Sequence, residues 1–144
     1  MLNLSIIKKY EGLKLEAYIC PAGVPTIGYG STFYPDGRRV KLGDKITIQE
    51  AESILVHDIK RFEKEVRNSI KIEITNNQLS ALISFVYNVG ASAFRKSTLL
   101  KKVNANPTDL TIHNEFMRWT RAGGKVLPGL VKRRAEESKL YFTK

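Results

Sequence analysis

The stretch YEGLKLEAYICPAGVPTIGYGST, Tyr10–Thr32, changes structural type partway along and brings Glu11, Cys20 and Thr26 close together in sequence. Upstream, Leu4, Ile6, Ile7 and Tyr10 give a short helix an apolar face, with Lys8 and Lys9 towards its C-terminal end, where the helix dipole favours cations. Gly12 follows Glu11 directly, and glycine readily takes the left-handed conformation that ends a helix, so Glu11 is predicted at the helix edge. The β-prone residues Leu15, Tyr18 and Ile19, a Pro21-Ala22-Gly23 turn, and Thr26, Ile27 and Tyr29 among glycines then read as a hairpin. The hairpin region is expected to run to about Val40, with a second turn at Tyr34-Pro35-Asp36-Gly37, as a small, twisted, three-stranded antiparallel sheet.

Beyond the sheet the periodicity is helical. Thr47-Ile48-Gln49-Glu50 is a capping-box sequence, and Ala51, Ile54, Leu55, Phe62 and Val66 then recur at helical spacing, which predicts a long connecting helix. Its charged members, among them Glu52, Asp58, Lys60, Arg61, Glu63 and Lys64, read as a solvated face. Thr75 to Gln78 repeats the capping logic before LSALISFVYNVG, apolar on nearly every face and so expected to be buried, with Gly90 as its stop. Further helices are expected near 97–104, 108–119 and 128–141, the last with Pro128 in its first turn, where its missing N–H costs nothing. These patterns together establish an α+β chain without internal repeats or linkers.

Composition narrows the setting. The 144 residues suit one compact domain long enough to bury about two-thirds of its unfolded surface. Cys20 is the single cysteine, so no internal disulfide can form, and synthesis in a reducing cytoplasm is expected. No apolar stretch has the length of a secretory signal or a membrane span. The formal charge is +10, and residues 118–144 hold eight basic side chains against Glu136 and Glu137, which favours approach to polyanions such as nucleic acid, anionic lipid or the bacterial envelope.

Glu11, Cys20 and Thr26, with eight and five residues between them and TIGYG at the end, resemble the active-site signature of the phage-type lysozymes, the endolysin muramidases. The similarity continues through Asn88-Val89-Gly90, Arg118-Trp119 and GGKVLPGLVKRRAEE from Gly123 to Glu137. Position 20 is usually Asp in the best-known members, and Cys20 is a variant of that pattern. Position 31 is often His, where this chain has Ser31.

The resemblance implies a lysozyme-like fold. A small antiparallel sheet lobe, about residues 12–60, would be joined by the long helix to a mainly helical lobe, about 61–144 plus the N-terminal helix, with an active-site cleft between them. It implies hydrolysis of the β-1,4 bond between N-acetylmuramic acid and N-acetylglucosamine in peptidoglycan, with inversion, no cofactor, and catalytic residues Glu11, Cys20 and Thr26. Gly30, Thr32 and Arg118 are the expected substrate-binding positions. A monomer held in the host cytoplasm until a holin releases it to the periplasm and wall completes the implied setting.

Glycosidic cleavage needs a proton for the leaving oxygen and a group that delivers water. Glu11 can supply the proton, and Tyr10, Tyr18 and Ile27 nearby would partly desolvate its carboxyl and keep it protonated near neutral pH. Read alone, it is an ordinary glutamate at a helix C-terminus, where the dipole disfavours it. The Thr26 hydroxyl can hold a water by donating and accepting hydrogen bonds, or it is simply a β-branched strand residue. A thiol with an unshifted pKa of about 8.5 makes a poor base. Cys20 therefore reads in three ways: as a positioner of water, as an activated thiolate, or as a half-buried small residue.

Ser97, Thr98, Arg118, Arg121 and Lys125 can bind sugar hydroxyls or peptide carboxylates, or merely cap and solvate. The last helix, with Lys132, Arg133 and Lys139, can meet anionic envelope groups. His57 and His113 lack metal-ligand spacing, and Gly28 and Gly30 sit in a hairpin and not before a helix, so neither a metal site nor a phosphate loop is expected. Two rival functions remain: nucleic-acid binding through the basic helix, opposed by Glu136 and Glu137 within it, and a cysteine peptidase or amidase pairing Cys20 with His57 or His113.

Overall fold

The computed structural model describes residues 1–144. Seven helices and four short strands follow in the order α1 Ser5–Glu11, β1 Lys14–Ile19, β2 Pro25–Gly28, α2 Ile48–Ser69, α3 Asn76–Val89, α4 Ala91–Arg95, α5 Thr98–Ala105, α6 Ile112–Met117, β3 Arg121–Ala122, β4 Lys125–Val126 and α7 Pro128–Tyr141. The chain forms two compact units, Ile7–Arg61 on the one hand and Met1–Ile6 with Phe62–Lys144 on the other. Their boundary falls inside α1 and again inside α2.

In the unit Ile7–Arg61, β1 and β2 pair antiparallel with Tyr18 opposite Thr26 and Ile19 opposite Pro25, and the register shifts between Lys14 and Tyr18. The expected third strand does not form. Its place is taken by single bridges, Glu16 to Lys45, Ile27 to Ser31 and Phe33 to Arg39. The main chain of 44–46 does run along β1, Ala17 N–H donating to Asp44 O and Ile46 N–H to Leu15 O, each at 2.9 Å. Gly37 and Gly43 interrupt the intervening chain at positive φ, so a continuous ladder cannot propagate. The turn at Tyr34 is as expected, Gly37 N–H reaching Tyr34 O at 2.9 Å. Ile7, Ile27, Val40, Ala51, Ile54, Leu55 and Ile59 form the core.

Thr47 caps α2 as its sequence predicts: Glu50 N–H donates to Thr47 Oγ1 and Thr47 N–H to Glu50 Oε1, both at 3.1 Å. Thr75 and Gln78 do the same for α3, the most buried helix of the other unit. There Phe85 meets Phe94, Phe116 and Trp119 edge-on with centroids 5.5–6.3 Å apart, the favoured aromatic geometry.

Three local elements differ from the pattern expected of the sequence. The helix expected over 108–119 shortens to α6, because Asn106 and Asp109 side chains accept from the amides and hydroxyls of Thr108 and Thr111 and hold that stretch in turns. A short helix, α4, follows Gly90 where only a stop was predicted. Gly123-Gly124, both at positive φ, join β3 to β4 in a tight hairpin, the connection that paired glycines favour.

Candidate active site

Glu11 is the last residue of α1. Gly12 N–H closes the final turn on Lys8 O at 3.1 Å, and Gly12 then takes φ 71°, a conformation a side-chain-bearing residue adopts only with strain. The helix therefore stops where the sequence predicts, with a half-buried carboxyl at its edge.

The facing hairpin turns at Cys20. Gly23 N–H donates to Cys20 O at 2.8 Å and Cys20 N–H to Val24 O at 3.0 Å, with Pro21 supplying the fixed φ at the second turn position. The turn leaves Cys20 half-buried beside Thr26, which is buried. The Thr26 hydroxyl donates to Val24 O at 2.8 Å. Hydrogen bonds from the Val24 main chain first, and then from the Thr26 side chain, hold the Cys20 thiol below its ordinary range. Thr26 has one hydroxyl proton to share between the Val24 carbonyl and the sulfur, and a hydroxyl oxygen that donates can also accept from a third partner. Tyr18, one strand position from the turn, is pushed above its usual value, chiefly by burial and then by the charges of Cys20 and Glu11.

Behind the hairpin are groups that charge patterning assigned to solvent. Glu52 and Asp58 of α2 are expected on a solvated face; Asp58 is buried instead, Glu52 stays partly exposed, and both hold the hairpin. The Tyr29 hydroxyl donates to Glu52 Oε1 at 3.0 Å, and Lys8 Nζ pairs with Glu52 Oε2 at 2.8 Å. Asp58 is buried and accepts from Ser31 Oγ at 2.5 Å. A short, charge-assisted bond of this kind explains how a small hydroxyl serves at position 31, and why Asp58 tolerates burial. Helical periodicity does not reveal either role, since the partners lie 23 and 27 residues away in sequence.

The other sequence-derived positions separate clearly. Gly30, at φ 98°, and the half-buried Thr32 sit just past β2 in the same unit as Glu11. Arg118 is in the other unit, pairs with Glu115 at 3.3 Å, and keeps its side chain 70% exposed. Ser97 is buried as the N-cap of α5, accepting from Leu100 N–H, and is not a surface ligand. Arg121 and Lys125 are exposed on the β3–β4 hairpin. Arg133, expected to meet the envelope, is 3% exposed, and Arg134 is fully buried, so neither lies on an outer cationic face. The groups acting on Cys20 are Val24, Thr26 and Ala22, with no histidine among them, and His113 Nδ1 is 2.7 Å from Ser138 Oγ. The thiol–imidazole pairing of the peptidase alternative therefore has no counterpart. No group of His, Cys, Asp and Glu side chains is arranged to hold a metal ion.

The profile of the phage lysozyme family matches residues 8–137. The chain belongs to the phage lysozyme family. The endolysin of Acyrthosiphon pisum secondary endosymbiont phage 1 is 44% identical over 143 residues, covering 96% of this chain and 94% of that relative. The Bacillus phage PZA endolysin is 43% identical over 96% of this chain, which spans about half (53%) of that longer protein. The solved endolysin from Escherichia coli O157:H7 phage FAHEc1 superimposes with a TM-score of 0.87 at 40% identity, covering 96% of this chain and 89% of that one. The protein is accordingly a lysozyme-type glycoside hydrolase, a phage endolysin that cleaves peptidoglycan. Its fold is lysozyme-like α+β.

Proposed function

We propose that Glu11 is the general acid and that Cys20 and Thr26 deliver the water in hydrolysis of the N-acetylmuramic acid to N-acetylglucosamine β-1,4 bond. The observation that carries this reading is the pairing, within one compact unit, of a helix-edge carboxyl with a hairpin turn bearing a hydrogen-bonded thiol and a buried hydroxyl. Glu11 transfers its proton to the glycosidic oxygen as the bond to the anomeric carbon lengthens. A water held by Thr26 and Cys20 attacks the opposite face, which inverts the configuration. The hydrogen bonds that hold the thiol below its ordinary range fix the sulfur beside Thr26, where it helps to position the water. Gly30, Thr32 and Arg118 are the substrate contacts in the same reading.

The acid–base steps call for no metal. In the biological setting we infer from the family, a monomer waits in the host cytoplasm and a holin admits it to the wall. No helix is long and apolar enough to cross a membrane.

Glu11→Gln keeps shape and loses the acidic proton, so activity on purified wall falls at least about a hundredfold, the lower edge of what general acid catalysis contributes. A variant within tenfold of the wild type removes Glu11 from the role. Mass analysis of released muropeptides checks the bond: hydrolysis leaves new reducing ends, transglycosylation leaves anhydro sugars, and peptide cleavage leaves new amines.

A further inference from the structure

We propose that Glu52 is a positioning residue for this reaction: by bridging Lys8 on the acid-bearing helix to Tyr29 beyond the end of β2, its carboxylate sets the distance between Glu11 and the Cys20–Thr26 pair. The inference rests on the roles assigned to those three residues under Proposed function.

Glu11 and the hairpin are joined covalently through Gly12, which sits at φ 71° with nothing within 4 Å of where a Cβ would be. A glycine in open space does not fix the angle between the elements it joins, because no packing opposes rotation there. Ile7 packs α1 into the apolar core with Ile27, and Glu52 adds a directional polar tie between the same helix and the hairpin. Each carboxylate oxygen takes a different partner, Oε1 the Tyr29 hydroxyl at 3.0 Å and Oε2 the Lys8 ammonium at 2.8 Å. Lys8 lies one helical turn before Glu11, and its carbonyl closes that turn on Gly12. Tyr29 lies three residues beyond Thr26, with its side chain buried and its neighbour Ile27 locked to Ser31 by reciprocal 2.9 Å main-chain bonds. Displacement of Glu52 thus moves both halves of the site.

A purely stabilising function accounts poorly for this arrangement. The Lys8 and Glu52 side chains are 38% and 39% exposed, and ion pairs at such exposure add little to folding. The bond from Lys8, and secondarily that from Tyr29, hold the Glu52 carboxyl below its ordinary range, so it remains a doubly accepting carboxylate across the neutral range. The effect is one of geometry, and reaction rates respond to geometry far more steeply than stability does.

The test is steady-state hydrolysis of purified peptidoglycan by wild type, Glu52→Gln, Tyr29→Phe, Lys8→Met, Lys8→Arg and Glu11→Gln, each at a temperature where circular dichroism shows it folded. The expected result is a kcat about tenfold lower for Glu52→Gln and Lys8→Met, within the roughly hundredfold that a misplacement near 1 Å can cost, with KM changed less than twofold. Lys8→Arg restores the rate, because it keeps the cation. Tyr29→Phe combined with Glu52→Gln loses less than the product of the single losses, since both break one bridge. Unchanged kcat in Glu52→Gln and Lys8→Met, a loss carried in KM, or a loss that Lys8→Arg shares in full overturns the positioning role. An active Glu11→Gln would instead remove the reading beneath it, whatever the other variants do.

Discussion

Cys20 is a residue whose acidity its immediate surroundings alter. Hydrogen bonds from Val24 and Thr26 move its thiol towards the thiolate, and its half-exposed position leaves the sulfur open to water. An aspartate there would accept more strongly and would better offset positive charge growing on the sugar ring. Cys20→Asp therefore stays active, while Cys20→Ala loses about tenfold, less than Glu11→Gln, because Thr26 still orients the water. Rates on purified wall check both. A covalent sugar adduct on Cys20 with retained anomeric configuration would convert the sulfur from water-handler to nucleophile, the one role its lowered pKa also fits.

The hairpin and α2 are joined by apolar packing and by a buried polar bond. Ile27 and Ala51 pack in the same core, and Gly28, at φ 67°, would place a Cβ 3.7 Å from Ile46 and 3.9 Å from Ala51, so strand and helix approach closely there. Beside that contact the Ser31–Asp58 bond ties the chain just past β2 to α2. Ser31→Ala withdraws a donor from a buried carboxylate and costs about 1–3 kcal/mol, as leaving such a group short of a partner does. The midpoint of urea unfolding reads this loss, and a change below about 0.5 kcal/mol, the range of ordinary surface substitutions, would mean that water replaces the hydroxyl without penalty.

The charged side chains of α7 divide into a buried set and an exposed set. Glu137 is fully buried and takes Arg134 on Oε1, with Ser84 at 2.6 Å and Arg133 at 3.3 Å on Oε2. Arg134 also donates to Trp119 O at 2.9 Å and to Asn88, and lies 5.1 Å from the centre of the Phe85 ring. No buried side-chain nitrogen or oxygen is left without a hydrogen-bond partner. Glu137→Ala strands two buried guanidinium groups and destabilises the fold by about 3–5 kcal/mol, visible as an early denaturant transition. Lys132 and Lys139, by contrast, are exposed. Neutralising that pair should reduce killing of intact cells more than hydrolysis of purified wall, with binding to cells weakening as salt rises. Equal losses in both assays would assign the two lysines to the reaction or the fold.

Much of the site was legible in local sequence because local forces build it. Gly12 stops α1 at Glu11, Pro21 to Gly23 turn the hairpin beside Cys20, and Thr47 and Thr75 start their helices, all through contacts spanning a few residues. What charge patterning misplaced was the direction in which α2 and α7 point their polar side chains. Asp58, Arg133 and Arg134 carry the residue types of a solvated face, yet each is buried and claimed by a group 15 to 49 residues distant. The third strand expected before about Val40 is missing for another reason: Gly30 and Gly37 at positive φ break the chain there into the single bridges Ile27 to Ser31 and Phe33 to Arg39. Burial of an ion costs so much unless partners are already in place that only the assembled chain can decide which charges go inside.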